Sequence, residues 1–174
     1  MLQNYNTYKI LQLFFDQPTK LFQLREISRM AEIGLPSAIS HVKKLEKYCF
    51  VKKEKKSTYQ SYIANKDNEK YKLYKKHDIA LRLHESGFIE YLVNNVTPTA
   101  IVLFGSAARG EDIETSDVDI FVLAKEENLD LTRFEKQIKR KINIYFEPNI
   151  KKLSKELLNN IVNGIKIYGY IKVI

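Results

Sequence analysis

The chain has 174 residues, 44% of them apolar, a formal net charge of +8 and a single cysteine. That is apolar material for one medium domain or two small ones, and it excludes a globally disordered chain. One thiol excludes an internal disulfide. Without an apolar leader segment or a long uncharged apolar run, a soluble, cytoplasmic protein with no membrane association is expected.

The charge is uneven. Residues 1–65 hold 11 Lys/Arg against 5 Asp/Glu, residues 66–98 hold 6 against 5, and residues 99–174 hold 12 against 11. The basic excess sits in the N-terminal third, which predicts two modules with different partners. We expect domains over 1–65 and 96–174, joined by a helical connector over 66–95.

Residues 8–15 predict a first helix, ended by Asp16-Gln17-Pro18. Leu21, Leu24, Ile27 and Met30 or Ala31 recur at helical spacing and predict a second. After the turn Ile33-Gly34-Leu35-Pro36 a third helix follows, with Pro36 at its first position or Ser37 as its cap. Its buried stripe is expected at Ile39, Val42 and Leu45. Its polar face would carry Ser37, Ser40, His41, Lys44 and Lys47. Cys49, flanked by Tyr48, Phe50 and Val51, is expected to be a buried thiol. Phe50-Val51 opens a strand, residues 52–58 form a basic turn with Lys52, Lys53, Lys55 and Lys56, and residues 59–64 return as a second strand.

Two helices joined by a Gly-containing turn and followed by a basic hairpin resemble a winged helix-turn-helix domain. That resemblance, over residues 5–65, implies DNA as a partner. Third-helix side chains would enter the major groove and hairpin lysines would meet phosphates, with a homodimer as the expected assembly. His41 reads either as a base-edge contact or as exposed polar surface. The lysine run, taken alone, reads equally as a solvated hairpin tip.

Residues 67–85 predict a long helix with apolar surface at Tyr71, Tyr74, Ile79, Leu81 and Leu83. Residues 88–93 predict a short helix, ended by Asn94-Asn95 and Pro98. His77 and His84, two turns apart, share a face and read as solvent-facing or core-edge rather than as a metal pair.

The densest signal is residues 99–123. An apolar strand over 100–104 ends at Gly105-Ser106; a loop with a short helical turn follows; then Asp117-Val118-Asp119 opens a second strand running to Leu123. Residues two apart on a strand share a face, so Asp117 and Asp119 aim together while Val118 and Ile120 point into the core. Paired carboxylates are unfavourable without a cation, and they suit Mg²⁺, which takes oxygen ligands and keeps waters that phosphates replace. Gly105 permits close backbone approach. Ser106 offers a hydroxyl and an N–H at a helix start, and Arg109 adds positive charge one turn on.

Gly-Ser, ten residues, then Asp-x-Asp, within Leu-Phe-Gly-Ser-Ala-Ala-Arg-Gly-Glu and Ser-Asp-Val-Asp-Ile, resembles the minimal nucleotidyltransferases of the DNA polymerase β superfamily, over residues 90–174. The expected fold class is therefore α+β: a winged helix-turn-helix followed by a polymerase β-like α/β domain with a mixed sheet. The resemblance implies transfer of a nucleoside monophosphate from a triphosphate, expected to be ATP, to a hydroxyl. Asp117 and Asp119 would hold Mg²⁺ or Mn²⁺, and Gly105, Ser106 and Arg109 would meet the nucleotide. A protein acceptor, with an antitoxin-type role toward a toxin partner, is implied as well.

Residues 129–141 predict an amphipathic helix with Leu131, Phe134 and Ile138 inward, and 142–146 a third strand. The family carries a third carboxylate in that strand; here the matching position is Asn143, with Glu147 further along the same face as a possible substitute. Loss of a general base costs about 10²–10⁴-fold in rate. The alternative reading is thus a DNA-binding regulator whose second domain binds a nucleotide or a partner without turnover. Residues 153–162 predict a last helix ending at Asn163-Gly164, and 165–174 a last strand.

Overall fold

The computed structural model describes residues 5–54 and 60–172. The chain divides into two compact units, Met1–Leu73 and Tyr74–Ile174.

In the first unit the order is α1 (Asn6–Asp16), β1 (Phe22–Gln23), α2 (Leu24–Met30), α3 (Leu35–Lys47), β2 (Val51–Glu54) and β3 (Ser61–Ala64). The strands form an antiparallel sheet in the order β1-β3-β2. Ile10 and Phe14 of α1, Phe22, Ile27, Val42, Leu45 and Tyr62 fill its core. Tyr71, from the first turn of α4 (Glu69–Glu85), completes it and donates its hydroxyl proton to the Phe14 carbonyl at 2.7 Å.

Several sequence expectations are corrected here. Leu21 lies outside α2 and is exposed, because Phe22-Gln23 is drawn into the sheet as a strand the periodicity hid. The buried stripe of α3 is Ala38, Val42 and Leu45, and Ile39 is half-buried. Ser37 does not cap α3; the helix starts at Leu35, with Gly34 before it and Pro36 in its first turn. Cys49 is exposed, not buried. It takes φ +60° in the turn after α3, with the Cys49 N–H bonded to Glu46 O and the Phe50 N–H to Leu45 O. This paired closure of a helix end turns the residue outward and buries the next one, Phe50. Lys55 and Lys56 lie outside the described residues.

Along α4 the buried positions include Tyr71, Lys75, Asp78 and Leu83, whereas Tyr74 and Leu81, expected to supply apolar surface, are exposed. His77 and His84 are exposed.

The second unit continues with α5 (Phe88–Val96), β4 (Ala100–Phe104), α6 (Gly105–Arg109), β5 (Val118–Val122), α7 (Thr132–Ile138), β6 (Ile142–Phe146), a 3₁₀ turn (Ile150–Lys152), α8 (Lys155–Val162) and β7 (Ile165–Gly169). Its mixed sheet has the order β6-β5-β4-β7, with β5 and β6 parallel and the other pairs antiparallel. Alternation divides the strands between two faces. Ile101, Leu103, Val118, Ile120 and Val122 meet α5 and α7 on one face; Val102 and Phe121 meet Leu153 and Ile161 on the other. α7 is shorter than expected, since Leu131 only precedes it, and β7 ends at Gly169 rather than running to residue 174. Among the described residues no helix is long and apolar enough to cross a membrane.

Candidate nucleotide site

The site grows from the register of β4 and β5. Phe104, the last residue of β4, pairs with Asp119. α6 starts at the next residue, so the helix start and the carboxylate are forced together. Gly105 has φ +71°, and a Cβ built on it would enter the Asp119 carboxylate, with Cγ only 3.3 Å away. The left-handed backbone favours glycine there, and a side chain at that position would displace the Asp119 carboxylate. Ser106 follows in the first turn of α6, partly exposed.

Asp119 is half-exposed on the face opposite Val118 and Ile120, both buried. Asp117 is exposed and stands one residue before β5 rather than within it. Its neighbour Val118 is fixed by its N–H, which bonds to Lys141 O at 2.8 Å. Asn143 is the register partner of Asp119 on β6, and its Nδ2 donates to Asp119 Oδ1 at 3.2 Å. Asp119 and Asn143 thus share a face and touch.

Glu147 is not brought to this pair. It lies four residues beyond Asn143, about 13 Å along an extended strand. Its Oε1 accepts the Asn149 N–H at 2.9 Å, so it closes the turn after β6. Arg109 sits at the end of α6 with its Nε 2.8 Å from Glu111 Oε2, both groups exposed.

The carboxylate oxygens of Asp117 and Asp119, exposed and half-exposed, are the donor type a hard divalent cation takes, and Asn143 meets Asp119 through its amide N–H. Among the described residues no group of three His, Cys, Asp or Glu is gathered. Such a set suits Mg²⁺, which takes few protein ligands and completes its shell with water and phosphate.

Sequence reasoning missed two surroundings of the site. A cleft of about 500 Å³ opens beside Asp117, walled by residues 114–117 and by Lys136, Lys139, Arg140 and Lys141. There the Lys141 ammonium, 2.9 Å from Glu135, holds the Glu135 carboxyl below its ordinary value, and the Ile142 N–H adds to the effect. The hydrogen bond to Glu135 raises Lys141 in turn, with the negative charge of Asp117 contributing. Secondly, the segment leading into Asp117 is gripped by Lys75 and Arg140. The available signal was Lys75 at i+4 from Tyr71, on the stripe that α4 buries.

On the first unit, Ser40, Lys43, Lys44 and Lys47 are exposed on α3, as are Lys52 and Lys53 on β2. Ser37 and His41 lie at the margin of that face, half-buried, and His41 Nδ1 is 2.7 Å from Thr7 Oγ1 of α1. Lys52 pairs with Asp67 at 3.1 Å.

Residues 87–170 match the family model described as Polymerase beta, Nucleotidyltransferase, and the match supports a nucleotidyltransferase domain in the second unit. No curated protein and no solved structure matches the chain.

Proposed function

We propose that the second unit is a divalent-metal-dependent nucleotidyltransferase and that the first is a winged helix-turn-helix that binds DNA. The observation that carries the first half is the packing of Gly105 against Asp119. The start of α6 and a carboxylate are held together at the mouth of two strands, where a Cβ would displace the Asp119 carboxylate.

The α6 start, with Gly105 and the Ser106 hydroxyl and N–H, receives the triphosphate tail. Asp117 and Asp119 hold the cation, and Asn143 fixes the rotamer of Asp119. Mg²⁺ or Mn²⁺ held by Asp117 and Asp119 would supply neutralisation of charge on the phosphates. An acceptor hydroxyl attacks the α-phosphorus; its oxygen forms the new P–O bond, the α–β anhydride bond breaks, and pyrophosphate leaves. The acceptor proton goes to water or to the substrate, since the amide of Asn143 is no base. We place the acceptor hydroxyl on a protein partner, as the resemblance to minimal nucleotidyltransferases implies.

Calorimetric titration of Mg-ATP and the other Mg-triphosphates into wild type and an Asp117→Asn/Asp119→Asn variant tests this. Metal-dependent binding by wild type alone supports it; no binding of any triphosphate overturns it.

A second reading has its own support in the Asn143–Asp119 hydrogen bond, which puts an amide where a base is needed. In it the unit binds the nucleotide and signals without turnover. Binding without pyrophosphate release in the presence of cell extract would favour it.

The order α1-β1-α2-α3-β2-β3 and the exposed lysines of α3 and β2 support the DNA half. Duplex affinity should fall with salt, at a log–log slope of roughly −0.9 per phosphate neutralised. Lys44→Ala/Lys47→Ala should weaken binding and reduce that slope by up to about 2. A slope near zero would exclude this use of the unit.

A further inference from the structure

Segment 111–116 carries the chain from α6 back into β5, and its course decides where Asp117 stands. It is strongly acidic. Glu111, Asp112 and Glu114 precede Asp117 and Asp119, five carboxylates within nine residues. Such a segment repels itself unless cations are built in.

Two are. Lys75 Nζ lies 3.2 Å from Asp112 Oδ1 and also donates to the Asp112 main-chain oxygen. Arg140 Nη1 lies 3.4 Å from Asp112 Oδ2 and donates to the Ile113 main-chain oxygen. The three side chains are 4%, 8% and 12% exposed for Lys75, Arg140 and Asp112. One carboxylate and two consecutive carbonyls are thereby held by two cations. Beyond them the Ile113 N–H bonds to Ser116 Oγ at 2.9 Å, and Ser116 N–H bonds back to Ile113 O at 3.0 Å. The next residue is Asp117.

We propose that Lys75, with Arg140 and through Asp112, is a positioning residue for the Asp117/Asp119 site. Lys75 lies on α4, ahead of residue 87 where the family match begins. The nucleotidyltransferase domain thus takes part of its site's support from a helix outside the matched segment. A buried charge cluster acts as a fixed mould here, because loss of one member strands the others in a poorly solvated place. The consequence for nucleotide binding rests on the function proposed above; the ordering of the segment does not.

The experiment is backbone hydrogen exchange on the full chain without nucleotide, followed by Mg-ATP titration, for wild type, Lys75→Met, Lys75→Arg and Asp112→Asn, with Lys76→Met as control. Lys75→Met should raise exchange across 111–119 at least tenfold while amides of α5 and β4 stay protected. It should weaken Mg-ATP binding at least tenfold. Lys75→Arg should recover most of both, and Lys76→Met should change neither. Unchanged exchange in 111–119, or a rise spread evenly over the second unit, overturns the positioning role whatever the titration gives. If wild type binds no triphosphate, the functional reading fails while exchange still decides the role of Lys75. Should Lys75→Met not fold, Asp112→Asn, its closest match in shape, is read by the same criteria.

Discussion

Gly105 couples the start of α6 to the Asp119 carboxylate. Alanine there takes on a left-handed conformation, worth about 1–2 kcal/mol against an L-residue, and drives its methyl into the Asp119 carboxylate. Gly105→Ala should lower the melting temperature and abolish Mg-nucleotide binding in the same calorimetric cell; retained affinity would show that the carboxylate is free to swing aside. Asn143→Asp should make the site depend on a cation. A second carboxylate against Asp119 adds like-charge repulsion, so the metal-free protein should melt lower than wild type. Added Mg²⁺ should restore the melting temperature, and the restored protein should transfer nucleotide faster if the missing base limits the rate. A melting temperature of the variant that ignores Mg²⁺ would argue against a cation at this pair. These residues are legible in the sequence alone. Gly105 and Asp119 stand out through the ten-residue spacing and strand alternation, local properties of sequence, and Asn143 through the family resemblance. Alternation gives Glu147 the face of Asn143 but not the distance along it, and Glu147 lies just past the end of β6. For Lys75 the sequence shows only its place four residues past Tyr71 on the buried stripe, because its partner Asp112 is 37 residues away.

At the scale of elements, helix ends decide more than helix interiors. Glu32, Cys49, Thr97 and Lys139 all take positive φ without being glycine, each at the C-terminal end of a helix. Beyond α2 the Glu32 N–H bonds to Arg29 O and the Ile33 N–H to Ser28 O, the closure that usually employs glycine. Glu32→Gly should therefore stabilise the first unit by about 1 kcal/mol, or roughly 4–8 °C for a domain of this size. Thermal unfolding followed by far-UV dichroism checks it. The same ends explain the misreading of Cys49. Apolar neighbours suggested a buried thiol, but a helix closed this way turns one residue outward and buries the next. The missed strand β1 has a similar cause. Two residues are too few to show a period of two, and Phe22-Gln23 is a strand only because β3 lies beside it.

Across the whole molecule, acid should act on the two units in different windows. Burial first, and then the charge of Lys44, push His41 below its ordinary value of 6.5. The unfolded chain consequently takes up that proton before the folded one, and stability falls as pH drops through the ordinary imidazole range. In the second unit Glu135 is held below its usual 4.5 by Lys141 and the Ile142 N–H. Its contribution is present above that value and is lost only as pH falls through the lower, folded one. Melting temperatures measured from pH 7.5 to 5.5 should decline for the first unit before the second, and His41→Asn should flatten the early decline. A decline unchanged in that variant would assign it to other groups.

The outward turn after α3 also has a bearing on handling. With one thiol in the chain, and that thiol on the surface, two molecules in air-exposed buffer can join through Cys49 and give a covalent dimer. Such a species would pass for the symmetric assembly expected of a DNA-binding module while owing nothing to a packed interface. Cys49→Gly removes the sulfur and suits the left-handed backbone at the same position. A dimer that persists in that variant is held by surfaces; one that vanishes was an oxidation product.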